Sequence, residues 1–298
     1  MNNSRTIPKY AGIIAAAVIF IILLTLFGIY DYDISSAIAD PSNVFWHAFE
    51  IIGEVPAVLV AIFAINVLTV PMIASKDKKK IALAVLYWLG CFGGFYYICN
   101  VMFKYAGASG SPWYVSIPVC AAAEVVSFLL IRTILKKSFG DDCFSFERGT
   151  DFYVFRKKCE ITALNCVLTL LIVSGLKVIW SRPRFRTLSS ADEYFPFWMP
   201  RGIAPFLESG SSVASFPSGH TANAACLYCL SLFPKSKKNR QIAKIILIIW
   251  IGFMAACRVF AGAHYASDVL CGMTITLLLH LLSKKIIAKT DPETVSAF

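Results

Sequence analysis

Lys177, Arg182 and Arg184 fall within one short run, Lys-Val-Ile-Trp-Ser-Arg-Pro-Arg. Pro217-Ser218-Gly219-His220 follows it, and then comes Arg258-Val-Phe-Ala-Gly-Ala-His264-Tyr-Ala-Ser-Asp268. Arg forks match phosphate oxygens, and Lys adds a compact charge. Lys177, Arg184 and Arg258 could therefore hold one anion from three directions. Pro217-Ser218-Gly219 stands before a predicted helix, whose open amides and positive dipole end attract negative charge. Gly219 lets an anion approach the backbone closely. Such a phosphate cradle requires no metal ligand and no cofactor. His264 precedes Asp268 by four residues, a spacing that puts both on one face of a helical turn. A carboxylate there can take Nδ1–H and leave Nε2 free as a nucleophile. His220, at the start of another helix, could give a proton to a leaving oxygen. Two histidines in a basic anion site read as phosphoryl transfer through a phosphohistidine.

The elements that must position these residues are membrane helices. The chain has 298 residues, of which 57% are hydrophobic and only 15% charged, with a mean hydropathy of +0.67. A soluble domain carries about 25% charged residues. That deficit excludes a disordered protein and argues against an ordinary cytosolic enzyme. A spanning helix needs about 20 mainly apolar residues. Candidates lie near 11–30, 50–73, 81–103, 113–135, 160–180, 218–233, 242–262 and 267–287, about eight spans in all. The expected fold is an all-α polytopic bundle forming a single membrane domain over 1–298. The sixth candidate is the shortest, and its first turn is polar (Ser218, His220, Thr221, Asn223). A polar start at membrane depth must face protein or a water-filled cavity.

The loops predict the orientation. With the N-terminus inside, 20 of the 28 basic residues fall on inner segments. These include Arg5 and Lys9, Lys76 to Lys80, Lys136 to Lys158, Lys235 to Lys244, and Lys284 to Lys289. Positive loops mark the cytoplasmic side, so both termini are expected inside. The net charge of +10 then needs no nucleic acid to explain it. Seven cations fall at or near the outer side: Lys104, Lys177, Arg182, Arg184, Arg186, Arg201 and Arg258. They break the pattern together, and all three polar segments converge on that outer face. Arg186 and Arg201 fit either the anion site or an interface where long side chains snorkel. The first span has a basic start and an Ala37-Ile38-Ala39 triplet downstream, but its apolar stretch exceeds a signal core. It is read as an uncleaved helix. The outer stretch 185–216 carries Phe185, Tyr194, Phe195, Phe197, Trp198 and Phe206, which suits an interfacial belt or a rim that touches lipid.

The three segments resemble the signature of the type 2 phosphatidic acid phosphatase (PAP2) family, which has vanadium haloperoxidase relatives. Lys177 and Arg184 match its Lys-x6-Arg-Pro, residues 217–220 match its Pro-Ser-Gly-His, and Arg258, His264 and Asp268 match its Ser-Arg-x5-His-x3-Asp. Phe185 and Cys257 depart from it, standing where the family has Pro and Ser. The resemblance covers roughly 160–287, the motif-bearing part of a six-helix core. Two of the spans in 1–135 would complete that core and two would be extra. The resemblance implies a metal-independent phosphatase acting at the outer face, in which His264 attacks phosphorus and Asp268 orients it. His220 protonates the leaving group. Lys177, Arg184, Arg258, Ser218 and the Gly219 amide hold the non-bridging oxygens. It also implies lipid phosphates or diphosphates as substrates, such as undecaprenyl diphosphate, phosphatidic acid or phosphatidylglycerophosphate. Arg182, Arg186 and Arg201 would suit a diphosphate.

Other readings stay open at this point. Another acceptor could replace water, making the chain a phosphotransferase. A phospholipid-anion transporter fits eight spans and a basic cavity, but no paired Gly- or Pro-broken helices recur in two halves. His47 and His280 read as packing, as do Cys226 and Cys229. The ten cysteines show no disulfide or zinc spacing. Glu54 and Glu124 are intramembrane ionisable residues and read as structural hydrogen-bonding groups. Lys- and Ile-rich composition points to a bacterial plasma membrane.

Overall fold

Nine α-helices occur among the described residues of the chain: α1 (Ala11–Ile38), α2 (Val44–Ala74), α3 (Lys78–Tyr105), α4 (Trp113–Phe139), α5 (Asp151–Trp180), α6 (Ala204–Ser209), α7 (Gly219–Cys226), α8 (Lys237–Phe260) and α9 (Ala266–Ala288). They belong to a computed structural model that describes residues 11–105, 107 and 110–292. Arg5, Lys9 and the side chain of His47 lie outside the described residues.

Apolar side chains face outward along most long helices, as a bilayer requires and water would not. Leu170 on α5 and Ile249 on α8 are each 65% exposed. Small and polar residues turn inward instead: Asn66, Thr69, Asn165 and Ser283 are fully buried. Seven helices (α1 to α5, α8 and α9) are long and apolar enough to cross a membrane, and the chain is an integral membrane protein.

The sixth expected span differs from its prediction. Residues 218–233 do not form one long α-helix. α7 lasts eight residues and continues as a 3₁₀ helix, Leu227–Leu232. A 3₁₀ turn rises faster per residue, so this composite reaches roughly 24 Å. It can be short because it is enclosed: α2, α5, α8 and α9 all pack around it. Cys226 and Leu227 lie in one apolar cluster with Ala57 and Cys166. Cys229 receives a hydrogen bond from Asn165 and sits 3.1 Å from His280 Nδ1. All ten cysteines are free.

α1 and α2 pack on the motif-bearing helices, α1 against α9 and α8, and α2 against α5, α7 and α8. α3 and α4 pack on α2 and on each other. Between α2 and α4, Asn66 donates to Glu124 (3.4 Å) and to Ser127 (3.3 Å). At one end of the bundle the basic segments meet: Lys80 and Arg156 both lie over Phe146, and Lys157 bonds Glu160 and Thr290. Lys177, near the opposite end of α5, marks the end that holds the three polar segments.

Candidate active site

Backbone hydrogen bonds stitch together the connections at this end of the bundle. Ser181 ends α5 in a left-handed conformation (φ 43°), and its hydroxyl bonds Val178 O and Gly202 O. Pro183 then prevents the helix from resuming. The strand-like stretch that follows pairs with 211–215: Arg184 N donates to Ser212 O at 3.1 Å and Ser215 N to Arg182 O at 2.9 Å. Arg186 N donates to Gly262 O at 2.8 Å, which ties in the turn between α8 and α9. Ser218 N donates to Asp268 O at 3.0 Å. Segments far apart in sequence are thus held by amide bonds that do not depend on side chains.

His264 is completely buried. Its Nδ1 lies 2.7 Å from Ser215 O, so Nδ1–H donates to that carbonyl. Its Nε2 has no hydrogen-bond partner among the described residues, which leaves its lone pair open. Burial, reinforced by the cations Arg184, Lys177 and Arg258, pushes His264 well below the ordinary histidine value. The ring is therefore neutral near pH 7. Asp268 does not take the Nδ1–H directly. Its Oδ2 is 3.8 Å from Nδ1, beyond hydrogen-bond reach. The i, i+4 expectation fails because His264 precedes α9, which starts at Ala266. The two residues do not share a helical turn. Asp268 instead accepts from Ser215 Oγ (2.5 Å) and Tyr265 N (2.9 Å). It fixes the segment whose carbonyl fixes the histidine, and its charge lies close to the ring.

Arg182 is what positions Asp268. The guanidinium is 1% exposed and all its nitrogens are engaged. Nη1 bonds Asp268 Oδ1 (2.5 Å) and Ser267 Oγ (3.0 Å). Nη2 bonds Asp31 Oδ2 (3.0 Å) and Tyr194 Oη (3.3 Å), and Nε bonds Phe195 O (2.7 Å). The plane stacks on Tyr265 at 4.0 Å. Burial opposes its charge, but Asp268 and Asp31 outweigh that and hold the proton more tightly than usual. Asp31, on α1, also accepts from Ser267 N (2.9 Å) and from the Ser267 hydroxyl. The sequence offered no signal for Asp31 beyond an acid within an apolar helix.

The cations close the other side. Lys177 Nζ donates to Ala214 O at 2.6 Å and lies against Gly219, where a Cβ would sit 3.8 Å from Nζ. Arg184 Nε donates to Ser211 O at 3.0 Å. Burial, with Arg258 and Arg186 nearby, lowers Arg184 to about 10, so it stays charged near neutrality. Arg258 is 1% exposed; Nη1 pairs with Glu50 Oε1 at 2.9 Å, while Nε has no partner among the described residues. Ser218 caps α7: its Oγ accepts from Thr221 N and contacts Thr221 Oγ1 at 3.0 Å. The hydroxyl expected on phosphate is thus engaged with Thr221 at the start of α7.

His220 faces His264 with ring centroids 6.4 Å apart, enough for one phosphoryl group between them. Its Nε2 donates to Glu54 Oε1 (2.9 Å) and to Glu50 O (3.0 Å). Both glutamates were absent from the sequence-derived site because α2 is some 170 residues from His220. Their signal was an i, i+4 acid pair inside an apolar span. Glu50 Oε1 also pairs with Arg186 Nη1 at 2.7 Å. A cavity of about 270 Å³ opens here, lined by Glu50, Glu54, Lys104, Tyr105, Arg184, Arg186, His220 and Arg258 among others. Of the three arginines set aside for a second phosphate, Arg182 is consumed by carboxylates, and Arg201 bonds Ser181 O and stacks on Phe195 at 4.3 Å. Phe185, Tyr194 and Phe197 fold inward onto Tyr265 and Phe216, whereas Trp198 is 55% exposed.

Residues 161–291 match the PAP2 superfamily. The chain is similar to phosphatidylglycerophosphatase B of Bacillus subtilis, 34% identical over 143 residues, or 42% of this chain and 70% of that protein. It is also similar to lipid A 4'-phosphatase of Rhizobium leguminosarum, 33% identical over 148 residues (46% of this chain, 58% of that protein). With lipid A 1-phosphatase of Rhizobium johnstonii the identity is 35% over 89 residues, 29% of this chain and 33% of that one. No solved structure matches the chain. With its two facing histidines, three cations and this likeness, the chain belongs to the PAP2 superfamily and is a membrane phosphatase of that family.

Proposed function

We propose that the chain hydrolyses lipid phosphomonoesters at the outer membrane face through a phosphohistidine, without a metal. The observation that carries this reading is His264 Nε2, buried, unpartnered among the described residues and facing His220 between Lys177, Arg184 and Arg258. The Nε2 lone pair forms the N–P bond while the P–O bond breaks, and His220 supplies a proton to the leaving oxygen. The three cations stabilise charge on the non-bridging oxygens. Water then cleaves N–P, giving its proton back to His220. A monoester is favoured over a diphosphate because Arg182 and Arg201 are engaged elsewhere. The similar phosphatidylglycerophosphatase and lipid A phosphatases support a lipid or sugar-linked monoester.

The outer location, with both termini inside, is supported by the meeting of the basic segments at the end of the bundle away from His264. We also propose that α1, α2, α5, α7, α8 and α9 form the catalytic core of one membrane domain, with α3 and α4 as an added hairpin on α2. Phosphate release tests the function. Detergent-purified protein is assayed in excess EDTA against phosphatidylglycerophosphate, phosphatidic acid, lipid A and undecaprenyl diphosphate, beside His264→Ala. Release from a monoester that survives EDTA and vanishes in the variant is expected. Loss in EDTA, or release by His264→Ala at the wild-type rate, overturns the mechanism.

A further inference from the structure

The two histidines are supported differently. His264 rests its Nδ1 on a carbonyl, whereas His220 rests its Nε2 on a carboxylate, Glu54 Oε1, at 2.9 Å. Glu54 is fixed in turn from α3, where Tyr97 Oη donates to Glu54 Oε2 at 2.5 Å. A Cβ added at Gly53 on α2 would lie 3.2 Å from the ring's Cδ2, and Nε2 bonds two α2 residues, so the Nδ1–Cε1 edge is the one turned away from α2. The charged groups facing the ring come from every neighbouring element: Glu50 and Glu54 from α2, Arg258 from α8, Lys177 from α5 beside Gly219, and His264 across the site. Among these, the Glu54 carboxylate is the one bonded to the ring itself.

We propose that Glu54 is the positioning residue for His220, holding Nε2–H so that the opposite edge of the ring delivers a proton to the leaving oxygen. Tyr97 holds that carboxylate, so α3 supports the site from outside the six-helix core, although it carries none of the three motifs. This deepens the reading above and rests on it. The ring takes up a proton at Nδ1 from the bound phosphate monoanion. As the P–O bond breaks, its electron pair goes to the bridging oxygen, which receives that proton. The ring returns to neutral with Nε2–H still on Glu54.

The test compares two probes with one tail, dodecyl phosphate and 4-dodecylphenyl phosphate. The alkoxide needs a proton in the transition state, with an alcohol pKa near that of water, about 16. The phenoxide, with a pKa of about 10, needs it far less. For full-length protein in detergent micelles, kcat and KM are measured for wild type, His220→Asn, Glu54→Gln and Tyr97→Phe. His220→Asn and Glu54→Gln are each expected to lower kcat on the alkyl probe about tenfold or more beyond any loss on the aryl probe, with KM nearly unchanged. Tyr97→Phe should shift the ratio the same way by about threefold. If His220→Asn shows the split and Glu54→Gln does not, Glu54 is no positioning residue while the acid reading of His220 survives. If His220→Asn itself loses both probes equally, the acid reading falls and takes the proposal with it. Should Glu54→Gln fail to fold, Tyr97→Phe decides: an unchanged alkyl-to-aryl ratio overturns the proposal.

Discussion

Gly272→Ala should disable the enzyme from a position that touches no substrate. α9 crosses the start of α7 at this residue. A Cβ on Gly272 would lie 3.3 Å from both the N and the C of Ser218, and closer still to its carbonyl oxygen. The obstacle is backbone, so no side chain can swing aside. It is also anchored, since Ser218 N donates to Asp268 O one turn earlier on α9. Relief requires a displacement on the order of 1 Å in the loop that carries Ser218, Gly219 and His220. A misplacement of that size in a catalytic constellation costs about 10²-fold in rate, and the overpacking itself costs about 1–3 kcal/mol. Two further glycines calibrate the effect. At Gly219 the added Cβ meets only the flexible Lys177 chain, 3.3 Å from Cε, and a few tenths of an ångström suffice. At Gly175 it meets nothing within 4 Å. Phosphate release at saturating substrate, with melting in detergent as a control, should rank the losses Gly272→Ala, then Gly219→Ala, with Gly175→Ala near wild type. Gly272→Ala retaining more than about a third of wild-type kcat would refute the reasoning.

Asp31→Ala leaves Arg182 Nη2 and Ser267 N short of a partner in a fully buried network; it should cost about 3–5 kcal/mol, towards the lower end because Asp268 remains, and an unchanged unfolding midpoint would show that α1 is not bound in through this contact. His264 must be neutral to attack, and its value is pushed well below the ordinary one, so it loses its lone pair only as pH falls far beneath about 6.5. The acid limb of kcat should therefore lie below that pH. Arg184→Gln removes one of the cations that push it down, so the limb should move to higher pH; a limb that stays put refutes the assignment. Ser218→Ala deletes the α7 cap, which is worth about 1 kcal/mol, so activity should fall far less than in His264→Ala.

The motif residues were legible because each motif is short and its members are local. Pro217 to His220 announces a helix start whatever surrounds it, and α7 does start at Gly219. Relations across the fold were less legible. The spacing of His264 and Asp268 implied a shared helical turn, yet α9 begins between them, and a carbonyl 49 residues away takes the Nδ1–H. Arg182 read as a surplus cation because its carboxylates sit on α1 and α9, 151 and 86 residues distant. The sixth span was short and polar at its start, both visible in sequence. Its 3₁₀ continuation reflects enclosure by four helices, and no residue pattern encodes that enclosure.

Glu50 and Glu54 explain why an apolar helix would keep two acids one turn apart. A site built from Lys177, Arg184, Arg186 and Arg258 concentrates positive charge where burial already penalises it. Glu50 offsets part of that charge by pairing Arg258 and Arg186 through one oxygen. An incoming phosphate brings oxygens that suit the same two guanidiniums. Glu54 lies one turn further along, away from the arginine pair and on His220. The same helix thus supplies one acid that pairs with the cations and another that bonds His220, whereas His264 Nδ1 bonds a carbonyl and has Asp268 Oδ2 3.8 Å away. The two rings differ in partner, a carboxylate on His220 Nε2 and a carbonyl on His264 Nδ1. On the proposed mechanism, that division lets one imidazole attack while the other gives up a proton, with ring centroids 6.4 Å apart.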